Sequence, residues 1–338
     1  LTKQLELLRE VAPYAILIAA DASYQILKLN NLRPDFVTTM ERIVESGEFF
    51  NSKASEFDNG ITFVASSLIH PNTIELLKGR NAVFAHKPLK FEYALGEDSK
   101  NYMCKGPSTA HFAFDLAIEL GCKQIIFIGQ ELAMASDGTT HAKGMVFGET
   151  SPTIASKEYA PNITTVLGYG GKTQVKSIKT WDLFRNYFEA MIDALNAYTD
   201  VKVYNATEGG SRIKGAIEMP FAQLVSQLIG AGVKKELIKP EPISPKLSQQ
   251  KLSEQRALIE NFIKVGKDRQ ALITELFKKI SKLVESADKD LAANKEPRYA
   301  KFYELKDRIE RLKATLQSDK VFNDVYMYTA YNFCIHQE

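Results

Sequence analysis

The segment Asn205–Pro220, NATEGGSRIKGAIEMP, carries an unusual density of groups that can do chemistry. It follows a short apolar run, Val201–Tyr204, and leads into a helix-like segment. A plain strand-to-helix turn needs one glycine and a cap. This one sets Gly209, Gly210 and Gly215 beside Glu208, Arg212 and Lys214. Gly209 and Gly210 are expected to permit a backbone path that a side chain would block, through positive φ or close approach. A carboxylate such as Glu208 can relieve a hydroxyl of its proton, and Arg212 offers the planar fork that pairs with a carboxylate. The alternative is a mutual Glu208–Arg212 salt bridge that only fixes the loop.

Two further stretches have the same character. In Lys105–Phe112, KGPSTAHF, Gly106 and Pro107 set a turn and Ser108 or Thr109 can cap the following helix. The free N–H groups of that helix start would face an anion, or the turn is a cap and nothing more. It is not a Walker motif, because the GK[ST] ending is missing, and no GxGxxG occurs. In Ala135–Gly144, ASDGTTHAKG, His141 sits with Asp137 and Lys143. Such a histidine is either solvated or, above a strand edge, able to handle a proton or a phosphate. His70, His86 and His111 lack the spacing of metal ligands, and no metal is assigned.

The elements that must position these groups are legible as alternating apolar runs and helical patterns up to about Gly232. Tyr14–Ala20, Asp35–Met40, Ile61–Ser66, Ala82–His86, Gln124–Gly129 and Val201–Tyr204 have strand length. Several are apolar almost throughout, as strands covered on both faces are. Between them, Ser108–Gly121 spaces Phe112, Leu116 and Leu120 by fours and ends at Gly121, a stop signal. Thr180–Tyr198 sets Leu183, Tyr187, Met191 and Leu195 on one face. The alternation predicts a doubly wound α/β domain with a mostly parallel sheet, Rossmann-type, over residues 1–233. Open sheets of this kind bind ligands at the carboxyl ends of their strands. Those ends carry Asp21, Glu41, Ser66, His86 and Lys87, then Gly129 and Glu131, then Asn205, Thr207 and Glu208.

The composition then changes. Residues 234–250 contain three prolines and read as a linker. Residues 251–338 read as an all-α C-terminal domain, with Ile273, Leu276, Ile280 and Val284 on one helix face and Phe302, Leu305, Ile309 and Leu312 on another. The 338 residues carry a net charge of +2, which does not suit an electrostatic nucleic-acid binder. Three cysteines, odd in number and far apart without a CxxC, point to a reducing compartment and away from a zinc site. No apolar run approaches the roughly 20 residues of a membrane span, and no signal-peptide pattern is visible. A cytoplasmic location is expected. The chain begins at Leu1 rather than Met, and a native N-terminus upstream is expected.

Together, AADAS…LRPDFVTTMER, ELGCKQIIFIGQELA…DGTTHAKG and NATEGGSRIKGAIEMPF resemble the motility accessory factor (Maf) family over about Leu1–Leu228. The family comprises bacterial flagellin glycosyltransferases that add nonulosonic acids of the pseudaminic or legionaminic type. Its central domain is distantly similar to bacterial sialyltransferases that use CMP-sialic acid, in which a GxGPS turn after the first strand contacts the nucleotide. Here that turn would lie upstream of Leu1. The resemblance implies a sialyltransferase-like fold, a CMP-activated sugar as donor with no further cofactor, and flagellin as the partner. Residue by residue, it makes Gly106, Ser108 and Thr109 a nucleotide-contacting turn, Glu131 beside Gly129 a ribose or base contact, and Asp21 a polar group near the cytidine. The family's base is not placed by the resemblance; the chemistry of the transfer makes Glu208 or His141 the candidate base and Thr207 with Arg212 or Lys214 the candidate sugar contacts. Two rivals stand beside it: an ATP- and Mg²⁺-dependent 6-hydroxymethylpterin pyrophosphokinase, which is similar in the core but lacks a helical tail, and a flagellin-binding assembly factor without turnover. Oligomeric state is not legible.

Overall fold

Parallel strands joined by helices build the first part of the chain in a computed structural model, which describes residues 1–95, 102–103, 105–135, 138, 162–237 and 243–327. In chain order the main elements are α1 (Leu5–Val11), β1 (Ile18–Ala20), α2 (Asp21–Leu29), β2 (Phe36–Thr39), β3 (Thr62–Ser66), α3 (Pro71–Leu76), β4 (Ala82–Ala85) and α4 (Lys90–Ala94). Then come α5 (Thr109–Glu119), β5 (Gln124–Phe127), β6 (Ile163–Leu167), β7 (Gln174–Ile178), α6 (Lys179–Tyr198), β8 (Lys202–Asn205), β9 (Ile217–Glu218) and α7 (Phe221–Ala231). Two long helices, α8 (Pro245–Ala292) and α9 (Tyr299–Ser318), follow. Contacts divide the chain into one unit of residues 1–87 and 101–239 and a second of residues 88–100 and 240–338.

The first unit holds a four-stranded parallel sheet, order β1-β2-β3-β4, and a three-stranded parallel sheet, order β5-β8-β9. An antiparallel hairpin, β6-β7, accompanies them. All six apolar runs read from the sequence are strands, and five are shorter than the run. Their apolarity follows from double coverage. Val37 and Phe63 face a core with Leu8, Tyr24 and Leu224, while the alternate residues Phe36 and Val64 face Phe112 and Leu116 of α5. Side chains alternate faces along a strand, so a sheet with helices on both sides needs apolar residues at every position. A third cluster joins β5 and β8 to Phe114 of α5 and Phe188 and Ile192 of α6. The hairpin and β9 were not read from the sequence; the strands of the former, ITTVL and QVKSI, are neither apolar throughout nor regularly alternating, and the latter has two residues.

One helix face differs from the sequence reading. On α6 the buried side chains are Phe188, Ile192 and Leu195, whereas Leu183 and Tyr187 are exposed. Two apolar stripes overlap on this helix, and the one that stacks against His111 and Phe127 is buried. Gly121 does end α5, with φ +75°.

In the second unit, α8 begins at Pro245, so the latter part of the 234–250 segment is helix, capped by Ser244 Oγ accepting from the Leu247 N–H. Arg269 pairs with Asp319 and Glu275 with Arg308. Residue numbers rise on one helix as they fall on the other, so α8 and α9 are antiparallel. The turn between them uses Asn294 at φ +55° and a Lys295 N–H to Asp290 carbonyl bond. The expected stripe on α8 is not a buried face. Only Leu276 of the four is buried, and Ile273 and Val284 are exposed. The expected stripe on α9, Phe302 to Leu312, is the half-buried one.

Candidate functional site

Two polar clusters stand at the carboxyl ends of the parallel strands. The first surrounds Asp21, the residue after β1. Its Oδ2 accepts from the Thr39 hydroxyl at 2.9 Å and from the Thr109 hydroxyl at 3.4 Å, and its Oδ1 accepts from the Ala22 N–H at 2.8 Å. One carboxyl group thus ties the ends of β1 and β2 to the start of α5. Asp21 is 4% exposed. Burial pushes its carboxyl up to about 7, against the opposing pull of these hydrogen bonds and with a smaller push from the Glu41 charge.

The start of α5 is built around His111. Its Nε2 lies 3.0 Å from the Phe184 carbonyl oxygen, and its Nδ1 lies 2.6 Å from Ser108 Oγ. The carbonyl can only accept, so Nε2 carries the hydrogen. Burial, with a smaller contribution from the Lys87 charge, brings the imidazole down to about 4 against the favourable Phe184 bond, so the ring is neutral at pH 7. Nδ1 is then bare and accepts the Ser108 hydroxyl hydrogen. Ser108 is the residue before α5, but its hydroxyl turns to His111 instead of capping the helix. Gly106 is required here, since a Cβ would stand 2.5 Å from His111 Cγ. Lys87 Nζ donates to the Gly106 carbonyl at 3.3 Å. Asp21, Gly106, Ser108 and Thr109 are therefore brought together. His111, not chosen from the sequence, is the hub of the turn. The signal available was Ser108-x-x-His111, the spacing at which a residue in the first helical turn reaches back to the one before the helix.

The second cluster joins the loops after β5 and β8. Ser211 N–H donates to the Glu131 carbonyl at 2.7 Å, and the Ser211 and Ser177 hydroxyls both donate to the Leu132 carbonyl. Gly210, at φ +76°, passes so close that a Cβ would lie 2.6 Å from Glu131 Cα. Its neighbour Gly209 has neither a positive φ nor an atom within reach, contrary to expectation. Positive φ falls instead on Glu208, at +55°. The Glu208 carboxylate accepts from the Phe221 N–H at 2.8 Å, so it neutralises the free amide at the start of α7.

The mutual Glu208–Arg212 salt bridge, the alternative reading of this loop, does not form. Arg212 Nε faces Glu218 at 4.0 Å, and its guanidinium packs on Gly171 of the β6–β7 turn. Lys214 is exposed, with its backbone N–H held by Glu189. Thr207 is buried, its hydroxyl bonded to Asn205 Oδ1 at 2.7 Å and near the Gly209 carbonyl. Gly129 has φ +65°, and half-exposed Glu131 points toward the Leu1 nitrogen at 4.0 Å. Gly129, Glu131, Thr207 and Arg212 thus share one loop cluster, while Glu208 is drawn off to α7. No contact joins Glu208 to Asp21 among the described residues. His141 lies outside the described residues. Among the described residues, no group of three or more His, Cys, Asp or Glu is placed to hold a metal, and no helix is long and apolar enough to cross a membrane.

Residues 1–137 match a family model described as 6-hydroxymethylpterin diphosphokinase MptE-like. The fold is similar to the structure of the Maf glycosyltransferase from Magnetospirillum magneticum AMB-1, with a TM-score of 0.53 and 15% identity. The match covers 84% of this chain and 41% of that one, so this chain spans about two fifths of that protein's length. No curated protein matches the sequence. At this level of identity the property shared with that glycosyltransferase is the fold.

Proposed function

We propose that this chain is the sugar-nucleotide-binding part of a cytoplasmic glycosyltransferase that moves a nonulosonic acid from its CMP-activated form to a Ser or Thr hydroxyl of flagellin. The observation that carries the reading is the cluster of Asp21, Thr39, Thr109 and the start of α5 at the carboxyl edge of the first sheet. It is a buried polar seat beside the amide groups of a helix start, in a fold similar to that of a glycosyltransferase.

In the transfer, the acceptor oxygen bonds to the anomeric carbon as the bond from that carbon to the CMP phosphate breaks. The electron pair leaves with CMP, and the acceptor proton goes to a base. The first-turn amides of α5 suit the departing phosphate. Ser108 does not donate to it, because its hydrogen is committed to His111; its lone pairs suit a ligand hydroxyl or amine. Arg212, on the second loop cluster, suits the sugar carboxylate. With Glu208 bound to α7, His141 is the remaining candidate base of the two named from the sequence.

The test incubates flagellin with CMP-pseudaminic or CMP-legionaminic acid and the full-length protein, with and without EDTA, and reads intact mass. A mass gain of one sugar per site that survives EDTA supports the transferase. A second reading rests on the MptE-like match over residues 1–137: diphosphate transfer from ATP to a hydroxymethylpterin. No glycosylation, with EDTA-sensitive release of AMP from ATP and the pterin, replaces the first reading by the second.

A further inference from the structure

The longest helix, α8, has little core of its own. Of its 48 residues only Phe262 and Leu276 are buried among the described residues, and α9 has no buried residue. α9 lies along one side of α8, where Leu283 and Asp290 share a groove with Phe302 and Leu305. The same groove takes in Lys279, Lys282 and Ser286, so beyond the α9 contact that side of α8 is polar. The other side is apolar and open. At steps of four and three it reads Ile273, Phe277, Ile280, Val284, Ala287 and Leu291. Ile273, Val284 and Leu291 are exposed, and Phe277 is 65% exposed. A line that repeats every seven residues is the seam along which one helix meets another. Toward the amino end this line is closed. A Cβ on Gly266 would stand 2.6 Å from Tyr326 Cζ, and the Tyr326 hydroxyl donates to the Phe262 carbonyl. The open seam therefore runs from Gln270 to Leu291, about 32 Å.

We propose that this seam joins two copies of the chain, with α8 packed antiparallel against α8 of the second copy about a two-fold axis level with Lys278 and Lys279. The occupant is a second copy because the seam is complementary to itself. In this register Phe277 meets Ile280 of the second copy, Ile273 meets Val284, and Gln270 meets the small Ala287. The two-fold axis makes each of these contacts twice.

Charge fixes the direction and the register. The flank of the seam away from α9 carries Lys267, Thr274, Ser281 and Asp288 at steps of seven, all exposed. Antiparallel pairing sets this flank against its own copy, with Lys267 opposite Asp288 and Thr274 opposite Ser281. Sliding by one repeat puts Glu260 opposite Asp288 in one direction and Thr274 opposite Asp288 in the other, and both lose the ion pair. A parallel pair would instead turn this flank toward the side of the second copy that α9 already covers.

The experiment is sedimentation of the full-length protein over a wide range of concentration, with circular dichroism to follow helix content. A dimer is expected. Phe277→Glu is expected to raise its dissociation constant at least about a hundredfold with helix content kept, since the side chain is exposed within its own chain. Lys267→Glu and Asp288→Lys each set like charges opposite at two symmetric points, and each is expected to weaken the dimer about tenfold. The double exchange restores opposite charges and is expected to bind within about threefold of the wild type. These two positions are exposed, so they decide by themselves should Phe277→Glu lose its helix. A protein that stays monomeric at every concentration overturns the proposal; if it then forms a one-to-one complex with flagellin that Phe277→Glu weakens, flagellin is the occupant instead. A dimer that Phe277→Glu leaves intact overturns it too. So do single charge variants that bind as the wild type does, or a double variant no tighter than the singles.

Discussion

Replacing Asp21 by Asn should change how stability depends on pH, by an amount that follows from its surroundings. In the unfolded chain the carboxyl titrates near 3.8, and in the folded protein burial holds it at about 7. Between those values the folded state binds a proton that the unfolded state has lost, so this group's contribution is full below pH 3.8 and is lost as pH rises to 7. The span is roughly three pH units at about 1.36 kcal/mol each, or up to about 4 kcal/mol. His111 works in the opposite sense. Its folded value of about 4 lies below the unfolded 6.5, so its contribution is full above 6.5 and is lost as pH falls to 4. In the wild type the two slopes cancel between pH 4 and 6.5, leaving a fall only up to 7. In Asp21→Asn the amide cannot ionise, the Thr39 and Thr109 hydroxyls can rotate to meet it, and the His111 slope is unmasked. Urea unfolding at pH 4.5, 6, 7 and 8, at fixed ionic strength, measures this. The variant-minus-wild-type difference should move toward the variant with rising pH, by about 3 kcal/mol between pH 4.5 and pH 8. A difference that stays the same at all four pH values refutes the assignment of Asp21 as a buried, proton-holding carboxyl.

Glu208→Gln keeps the shape but removes the charge facing the start of α7, so unfolding free energy should fall by about 0.3–1 kcal/mol while glycosyl transfer continues; a hundredfold loss of turnover would return Glu208 to the reaction. Gly210→Ala should cost at least about 1–3 kcal/mol, because the Cβ meets the Glu131 backbone at a positive φ, whereas Gly209→Ala should be nearly neutral; thermal melts of the pair decide. Phe188→Ala should cost about 3–5 kcal/mol and Leu183→Ala less than about 0.5 kcal/mol, and the reverse order in chemical denaturation would restore the other face of α6. CMP should bind the full-length protein more tightly than ATP, AMP or UDP without divalent metal, as read by calorimetry; preference for ATP with Mg²⁺ would favour the diphosphokinase.

The six apolar runs, the stop at Gly121 and the half-buried face of α9 were determined by the sequence itself, because each rests on local chemistry: β-strands covered on both sides need apolar residues at every position, and a left-handed helix end needs glycine. The polar residues at the strand ends were equally plain, since a parallel sheet delivers its carboxyl ends to one edge. What each of them touches was not. Glu208 and Arg212 lie four apart and carry opposite charge, yet Glu208 meets a backbone amide thirteen residues on and Arg212 meets Glu218. On α6, two apolar stripes were equally eligible, and the choice fell to the one that could stack on His111 and Phe127, residues distant in the chain. His111 itself drew no notice as a lone histidine, because its role needs the Phe184 carbonyl and the Ser108 hydroxyl at once. Local sequence specifies which groups are present and how the backbone near them turns. The partner of a charge or of a ring nitrogen is set by chain crossings between distant segments, and those exist only when the helices and sheets have packed.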